Sequence, residues 1–165
     1  MYYKNMKNLA QKINRGVFFF LIRFRTLKWW VLFKDFGKDT IVYGSIKVLY
    51  PENVSIGDNS RINDFVYING RGGVKIGSRV HISASTTINT SSLDYNSPLY
   101  SRSHFNTPVS IGDGTWIAQG VIINPGVSIG SNCVIGAGSV VTDNIPDGKI
   151  AYGVPARIVR DTNSL

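Results

Sequence analysis

Aliphatic residues return every sixth position along most of this chain. Ile56, Ile62 and Ile68 open the series, and Ile76, Ile82 and Ile88 resume it. Ile111, Ile117, Ile123, Ile129, Ile135 and Val141 complete it. The next residue is usually small or polar, as at Gly57, Gly77, Gly112, Ala118, Gly130 and Gly136. The residue four places on is compact: Ser60, Val66, Val80, Thr86, Thr115, Val121, Val127, Cys133 and Ser139. A six-residue period is the mark of a parallel β-helix, with each hexad forming a short strand and a turn. The aliphatic side chain and its partner four places on point inward and stack on the coil below. No hexad can bury its own face, so the array must form stacked coils. The fold predicted is all-β.

The interruptions are as informative as the beat. The step from Ile68 to Ile76 is eight residues, which predicts a two-residue bulge at a corner around 70–73. After Ile88 the beat is lost until Phe105, whose partner four places on is Val109. The intervening residues 89–104 are polar (Thr90, Ser91, Ser92, Asp94, Asn96, Ser97) and read as a loop thrown out of the coil. Loops ejected from rigid scaffolds often carry function. The coils begin weakly around 44–50 and number about five, and a tail over 145–165 leaves the pattern.

Residues 1–38 read as a separate element ahead of a β-helix domain over 39–165. Leu9, Ile13, Val17, Phe20, Phe24, Leu27 and Val31 form an apolar stripe of helical period. Gly16 weakens its middle, so two short helices are one expectation. Phe18, Phe19, Trp29 and Trp30 lie off the stripe. The longest uncharged apolar run, Val17 to Ile22, is too short to span a bilayer. Arg23, Arg25 and Lys28 argue against a cleaved leader. Aromatics beside cations suit a segment lying on an anionic membrane. The other reading is a cap over the first open coil, and both can hold.

Charge sharpens that division. The chain has 18 Lys and Arg, 10 Asp and Glu, and a net charge of +8. Nine of the cations and a single acid, Asp35, fall in residues 1–38, so the remainder is neutral. The basic balance therefore gives no argument for nucleic acid binding by the domain. Cys133 is the single cysteine, which rules out an internal disulfide framework. Its inward position marks it as a small core residue. No metal-ligand cluster, phosphate loop or nucleophilic triad appears.

The ordered set of segments in the second half carries a resemblance. They are Pro108-Val109-Ser110-Ile111-Gly112-Asp113-Gly114-Thr115-Trp116-Ile117-Ala118, Ile123-Asn124-Pro125-Gly126-Val127-Ser128-Ile129-Gly130, Ile135-Gly136-Ala137-Gly138-Ser139-Val140-Val141-Thr142, and Ala151-Tyr152-Gly153-Val154-Pro155-Ala156-Arg157-Ile158-Val159-Arg160. With the looser hexads, residues 44–160 resemble the hexapeptide-repeat acyltransferases. The resemblance is to the branch of maltose and galactoside O-acetyltransferases and polysaccharide-biosynthesis acetyltransferases. It implies a left-handed parallel β-helix and a homotrimer with acetyl-CoA in the groove between neighbouring subunits. It places Trp116, Ala118, Ala137, Thr142, Arg157 and Arg160 toward the coenzyme, with the two arginines near its phosphates. More loosely, it places Asn63 and Asp64 toward the acceptor.

Acyl transfer to a hydroxyl needs a base to take the acceptor's proton. The family takes it from a histidine in the loop after the third coil, where this chain has Leu93. His104 lies in the same loop and is the replacement expected, with Asp94 to orient it; the other readings are a structural loop or trimer-contact histidine and, for Asp94, a turn cap. His81 reads as a surface residue. The expected activity is O-acetylation of a sugar or saccharide in cell-envelope glycan synthesis. The alternatives are N-acetylation of an amino sugar or small amine, and an inactive trimeric scaffold. The expected location is the cytoplasm, peripheral to the membrane where lipid-linked glycans are assembled.

Overall fold

The computed structural model describes residues 2–94, 98 and 103–164, and side chains for 16–94, 98 and 103–163. One helix, α1 (Tyr2–Leu32), precedes a three-faced solenoid. Gly16 does not divide it. The first coil holds β1 (Asp35–Phe36), β2 (Ile41–Val42) and β3 (Lys47–Leu49). The second holds β4 (Val54–Ile56), β5 (Arg61–Ile62) and β6 (Tyr67–Asn69), and the third β7 (Val74–Ile76), β8 (His81–Ile82) and β9 (Thr87–Asn89). A hairpin follows, β10 (Ser91–Leu93) and β11 (His104–Asn106). The fourth coil holds β12 (Val109–Ile111), β13 (Trp116–Ile117) and β14 (Ile122–Ile123), and the fifth β15 (Ser128–Ile129), β16 (Val134–Ile135) and β17 (Val140–Val141).

Three parallel sheets form the faces. Face A stacks β1, β4, β7, β12 and β15; face B runs from β2 to β16; face C runs from β3 to β17. The tail does not simply leave the solenoid. Ile145 bridges to Ile129 on face A, and β18 (Lys149–Gly153) pairs with β16 on face B, giving a partial sixth coil. β19 (Ala156–Asp161) then returns antiparallel along β18 after a cis Val154-Pro155 bond. The solenoid also starts earlier than the sequence suggests, because β1 pairs with β4 at Asp35↔Ser55 and Phe36↔Ile56. Residues 35–38 thus belong to the first coil.

Register explains the uneven beat. Ile56 pairs with Ile76, twenty residues on, whereas Ile111 pairs with Ile129, eighteen on. The early coils carry two extra residues at the corner between faces C and A, where Pro51–Asn53 forms a 3₁₀ turn and residues 70–73 a tight turn closed by Gly73 N donating to Gly70 O. The ladder of Val54, Val74 and Val109 continues unbroken past the hairpin.

All nine residues four places after a hexad aliphatic are buried. Where such a residue is polar, it bonds the coils together. Thr40 Oγ1 donates to Gly57 O (2.7 Å) and accepts from Ser60 N (3.0 Å). Ser60 Oγ donates to Gly77 O and accepts from Val80 N. Thr115 Oγ1 donates to Gly130 O and accepts from Cys133 N. Buried hydroxyls need such partners, and here they satisfy the corner carbonyls that a short strand leaves open. Corner carboxylates act similarly from outside. Asp58 accepts from Lys38 N, Asp113 from Ser78 N and Asp147 from Ser131 N.

The glycine after each aliphatic on face A is required by close approach. A Cβ on Gly112 would lie 2.4 Å from Ser131 N and 2.5 Å from Gly130 C. Those are backbone atoms of the next coil and cannot swing aside. Gly112→Ala is therefore expected to cost about 3 kcal/mol, the upper end for overpacking, as a lowered urea midpoint. Burial also pushes the Cys133 thiol up. The folded state holds that proton more tightly than the unfolded chain does. Its stabilising contribution should be complete below about pH 8.5, the free-thiol value, and be lost as pH rises through the folded value. Wild type should lose more stability than Cys133→Ala above that pH, and disulfide reagents should label the folded thiol slowly.

Candidate functional site

The polar loop is partly a β-hairpin. Its register pairs Ser91 with Asn106, Ser92 with Phe105 and Leu93 with His104. Asp94 N donates to Ser103 O (3.0 Å), so Asp94 and Ser103 form a hydrogen-bonded pair. Leu93 and His104 are consequently a non-hydrogen-bonded pair, the kind in which side chains come closest. Directly opposed side chains share a face of the hairpin. His104 thus stands beside Leu93 on the same face, and both are exposed. Asp94 follows β10, and because successive side chains of an extended chain alternate, it falls on the other face from Leu93 and His104, so the hairpin does not bring it to the imidazole.

The hairpin is anchored at its base. Thr107 N donates to Thr90 O, and buried Thr90 Oγ1 donates to Asn69 O (2.6 Å) while accepting from Gly72 N (2.8 Å). Asn69 Nδ2 donates to Asn89 Oδ1, and Asn89 Nδ2 to Ser91 O. The root of the loop therefore rests on the third coil and the corner below it.

Residues picked out for the coenzyme occupy a different corner. Ala118 follows β13 and Ala137 follows β16, both between faces B and C on successive coils. Ala118 is buried and Ala137 exposed. Trp116 is exposed on face B between His81 and Val134, and its Nε1 donates to Ser83 Oγ (3.1 Å). Asn63, Ser83, Ala118 and Gly136 fall on one line across the coils by register. At about 4.8 Å per coil, Asn63 is roughly 10 Å from Ala118. Asn63 Nδ2 donates to Ile82 O, and Asp64 Oδ1 accepts from Ser45 N, so both also serve corner geometry. Ser83 was missed by sequence reasoning, because only the register brings it to Trp116. His81 is exposed on face B, in line with its surface reading.

Thr142 and Arg157 meet through a residue that reads in sequence as a turn. Thr142 Oγ1 and Arg157 Nη1 each donate to Asp143 Oδ2 at 3.0 Å. Arg160 is exposed on β19 opposite Ile150. The chain does not bring His104 to the alanines, since the width of face C, roughly 15 Å of extended chain, lies between their corners. Two grooves among the described residues lie elsewhere. One of about 700 Å³ on face A includes Lys34, Arg71, Lys75 and Ser110, and another of about 780 Å³ lies between α1 and the first coils. Neither is lined by the residues picked out for coenzyme or acceptor.

The family pattern described as Bacterial transferase hexapeptide (six repeats) matches residues 108–143. Galactoside O-acetyltransferase of Escherichia coli K12 is 36% identical over 133 residues, covering 80% of this chain and 66% of that protein. A putative colanic acid biosynthesis acetyltransferase of the same organism is 34% identical, covering 76% and 68%. A hexapeptide-repeat acetyltransferase from Vibrio cholerae, solved with acetyl coenzyme A, superposes with a TM-score of 0.76 at 32% identity, over 81% and 73% of the two chains. This chain belongs to the hexapeptide-repeat acetyltransferases. It spans about two thirds of the length of the galactoside enzyme. Asp143 links two of the groups picked out for the coenzyme, Thr142 and Arg157.

The Arg157–Asp143 pair is 65% and 68% exposed. Exposed pairs contribute about 0–1 kcal/mol, so Asp143→Asn should leave the urea midpoint nearly unchanged.

Proposed function

We propose that this protein is an acetyl-CoA-dependent O-acetyltransferase acting on a hydroxyl of a sugar or saccharide, with His104 as general base. The observation that carries the catalytic assignment is the cross-strand pairing of His104 with Leu93. The imidazole is one strand over, on the face where the family resemblance expects its histidine. The relatives named for galactoside and colanic acid support a saccharide acceptor. The acceptor assigned is a cell-envelope glycan or its lipid-linked precursor, met at a membrane surface.

In the reaction, His104 takes the proton as the acceptor oxygen attacks the thioester carbonyl. The tetrahedral oxyanion collapses, the C–S bond breaks, and the imidazolium returns its proton to the departing thiolate. The products are an acetyl ester and free coenzyme A. Trp116, Ala118, Ala137 and Thr142 line the pantetheine path, the alanines because a larger side chain would fill it. Arg157 and Arg160 meet the phosphates, where their charge is complementary. Asn63 and Asp64 face the acceptor. Copies assemble as a homotrimer, so that the hairpin of one subunit meets the alanine corner of the next. The separation of these corners within one chain supports that arrangement.

Thiol release from acetyl-CoA with saccharide acceptors provides the assay. His104→Ala should lower kcat about 10²–10⁴-fold, the range for a general base, with little change in coenzyme affinity. Adding Leu93→His to that variant should restore turnover, because the two positions share a face. Full turnover in His104→Ala would overturn the assignment. A wild-type protein that binds coenzyme A yet transfers to no saccharide or amine would be the inactive scaffold.

A further inference from the structure

The helix α1 uses two opposite faces, and the solenoid accounts for just one of them. Ile22, Trp29 and Phe33 are buried, at 6%, 6% and 5% exposure. Trp29 packs on Phe33, and Phe33 on Phe36 of β1. Thr26 Oγ1 accepts from Val42 N (3.1 Å), and Arg25 Nη1 donates to Tyr43 O (3.1 Å). These contacts close the open edge of the first coil, as an exposed strand edge requires.

The stripe of helical period is not part of that cap, apart from Leu27, which with Trp30 borders a groove against residues 36–40. Val17, Phe20, Phe24, Leu27 and Val31 are 51%, 69%, 64%, 55% and 65% exposed. At 100° per residue their arc is centred about 180° from Ile22, Trp29 and Phe33. Trp30 adds an exposed aromatic on one flank. Arg23 and Lys28, both exposed, bracket the arc on either side. The same spacing carries the stripe's positions back through Ile13 and Leu9. A contiguous apolar face of this kind marks an interaction site. Among the described residues, no helix is long and apolar enough to cross a membrane.

We infer that the outward arc of α1 is a membrane-surface anchor, lying in the headgroup region of an anionic bilayer while the inward face holds the solenoid. Three features select that occupant. The arc is rich in phenylalanine, with tryptophan at its edge, the composition of interfacial helices. The chain's net positive charge resides in residues 1–38, which complements anionic lipid. The buried contacts of the cap are made without Val17, Phe20, Phe24 and Val31, so their apolar surface is held in water with no use in the fold. This deepens the membrane-surface part of the function proposed above, and its readout is lipid partition, so it stands or falls apart from catalysis. Deleting the helix would not test it, since Trp29 belongs to the core and Ile22 is buried with it.

The experiment is co-sedimentation of the full chain with vesicles of mixed phosphatidylcholine and phosphatidylglycerol, and with phosphatidylcholine alone. Wild type should bind the anionic vesicles more tightly, less so as salt shortens the screening length. The triple variant Phe20→Ser, Phe24→Ser, Val31→Ser should lose binding about tenfold or more, and keep its circular dichroism and oligomeric state. Arg23→Gln with Lys28→Gln should weaken anionic binding several-fold. Wild type that ignores both vesicles would overturn the inference. So would dissociation of the assembly by the triple variant, which would make the arc an interface between copies of this chain.

Discussion

Everything in this molecule depends on the distance between successive coils. Strands that hydrogen-bond in register sit about 4.8 Å apart, and the solenoid applies that spacing to corners as well as to faces. A corner cannot carry a bulky side chain where the next coil's backbone passes, which is why Gly112 and Gly130 lie against main-chain atoms. It also cannot leave its carbonyls without partners, which is why Thr40, Ser60 and Thr115 stand among the aliphatic residues of the interior. The hexad is thus two constraints in one period. Aliphatic stacking drives association of the coils, and small or hydroxyl-bearing positions let them close to bonding distance.

A stack built this way has two ends, and the ends cannot use the same solution. At the carboxyl end the chain turns back on itself, as β19 runs antiparallel to β18 and completes the edge of face B. At the amino end a helix performs the task with side-chain partners for backbone groups, Thr26 for Val42 and Arg25 for Tyr43. Only a narrow strip of helix is needed for that work. A long helix therefore reaches the solenoid with most of its circumference still to be assigned, and its sequence fills the far side with aromatic residues.

Much of the architecture was legible because the stacking constraint writes itself into consecutive residues. The inward positions from Ile56 to Val141 could be named from spacing, and so could the ejection of the loop after Ile88. What escaped was whatever depends on pairing between distant segments. The first coil hid because β1 is two residues long and its inward residue, Phe36, breaks the aliphatic rule. The helix stripe was visible, but amphipathic spacing cannot say which face meets protein, and off-stripe Trp29 proved to be the packed residue. The neighbourhood of Leu93 and His104 was hidden for a similar reason. Eleven positions separate them in sequence, and the hairpin register alone makes them adjacent. Asp143 and Ser83 gained partners only once β19 and face B were folded.

The hairpin's attachment also bears on how such a chain can change over time. The ladder on face A passes from Val74 to Val109 as though nothing intervened. The excursion begins and ends at one corner, tied by Thr90 and Thr107. Lengthening a closed loop costs little, about 0.6 kcal/mol for each doubling. The stack is therefore indifferent to what is spliced between those two threonines. A different segment can be spliced there, cassette by cassette, while the stack is inherited intact.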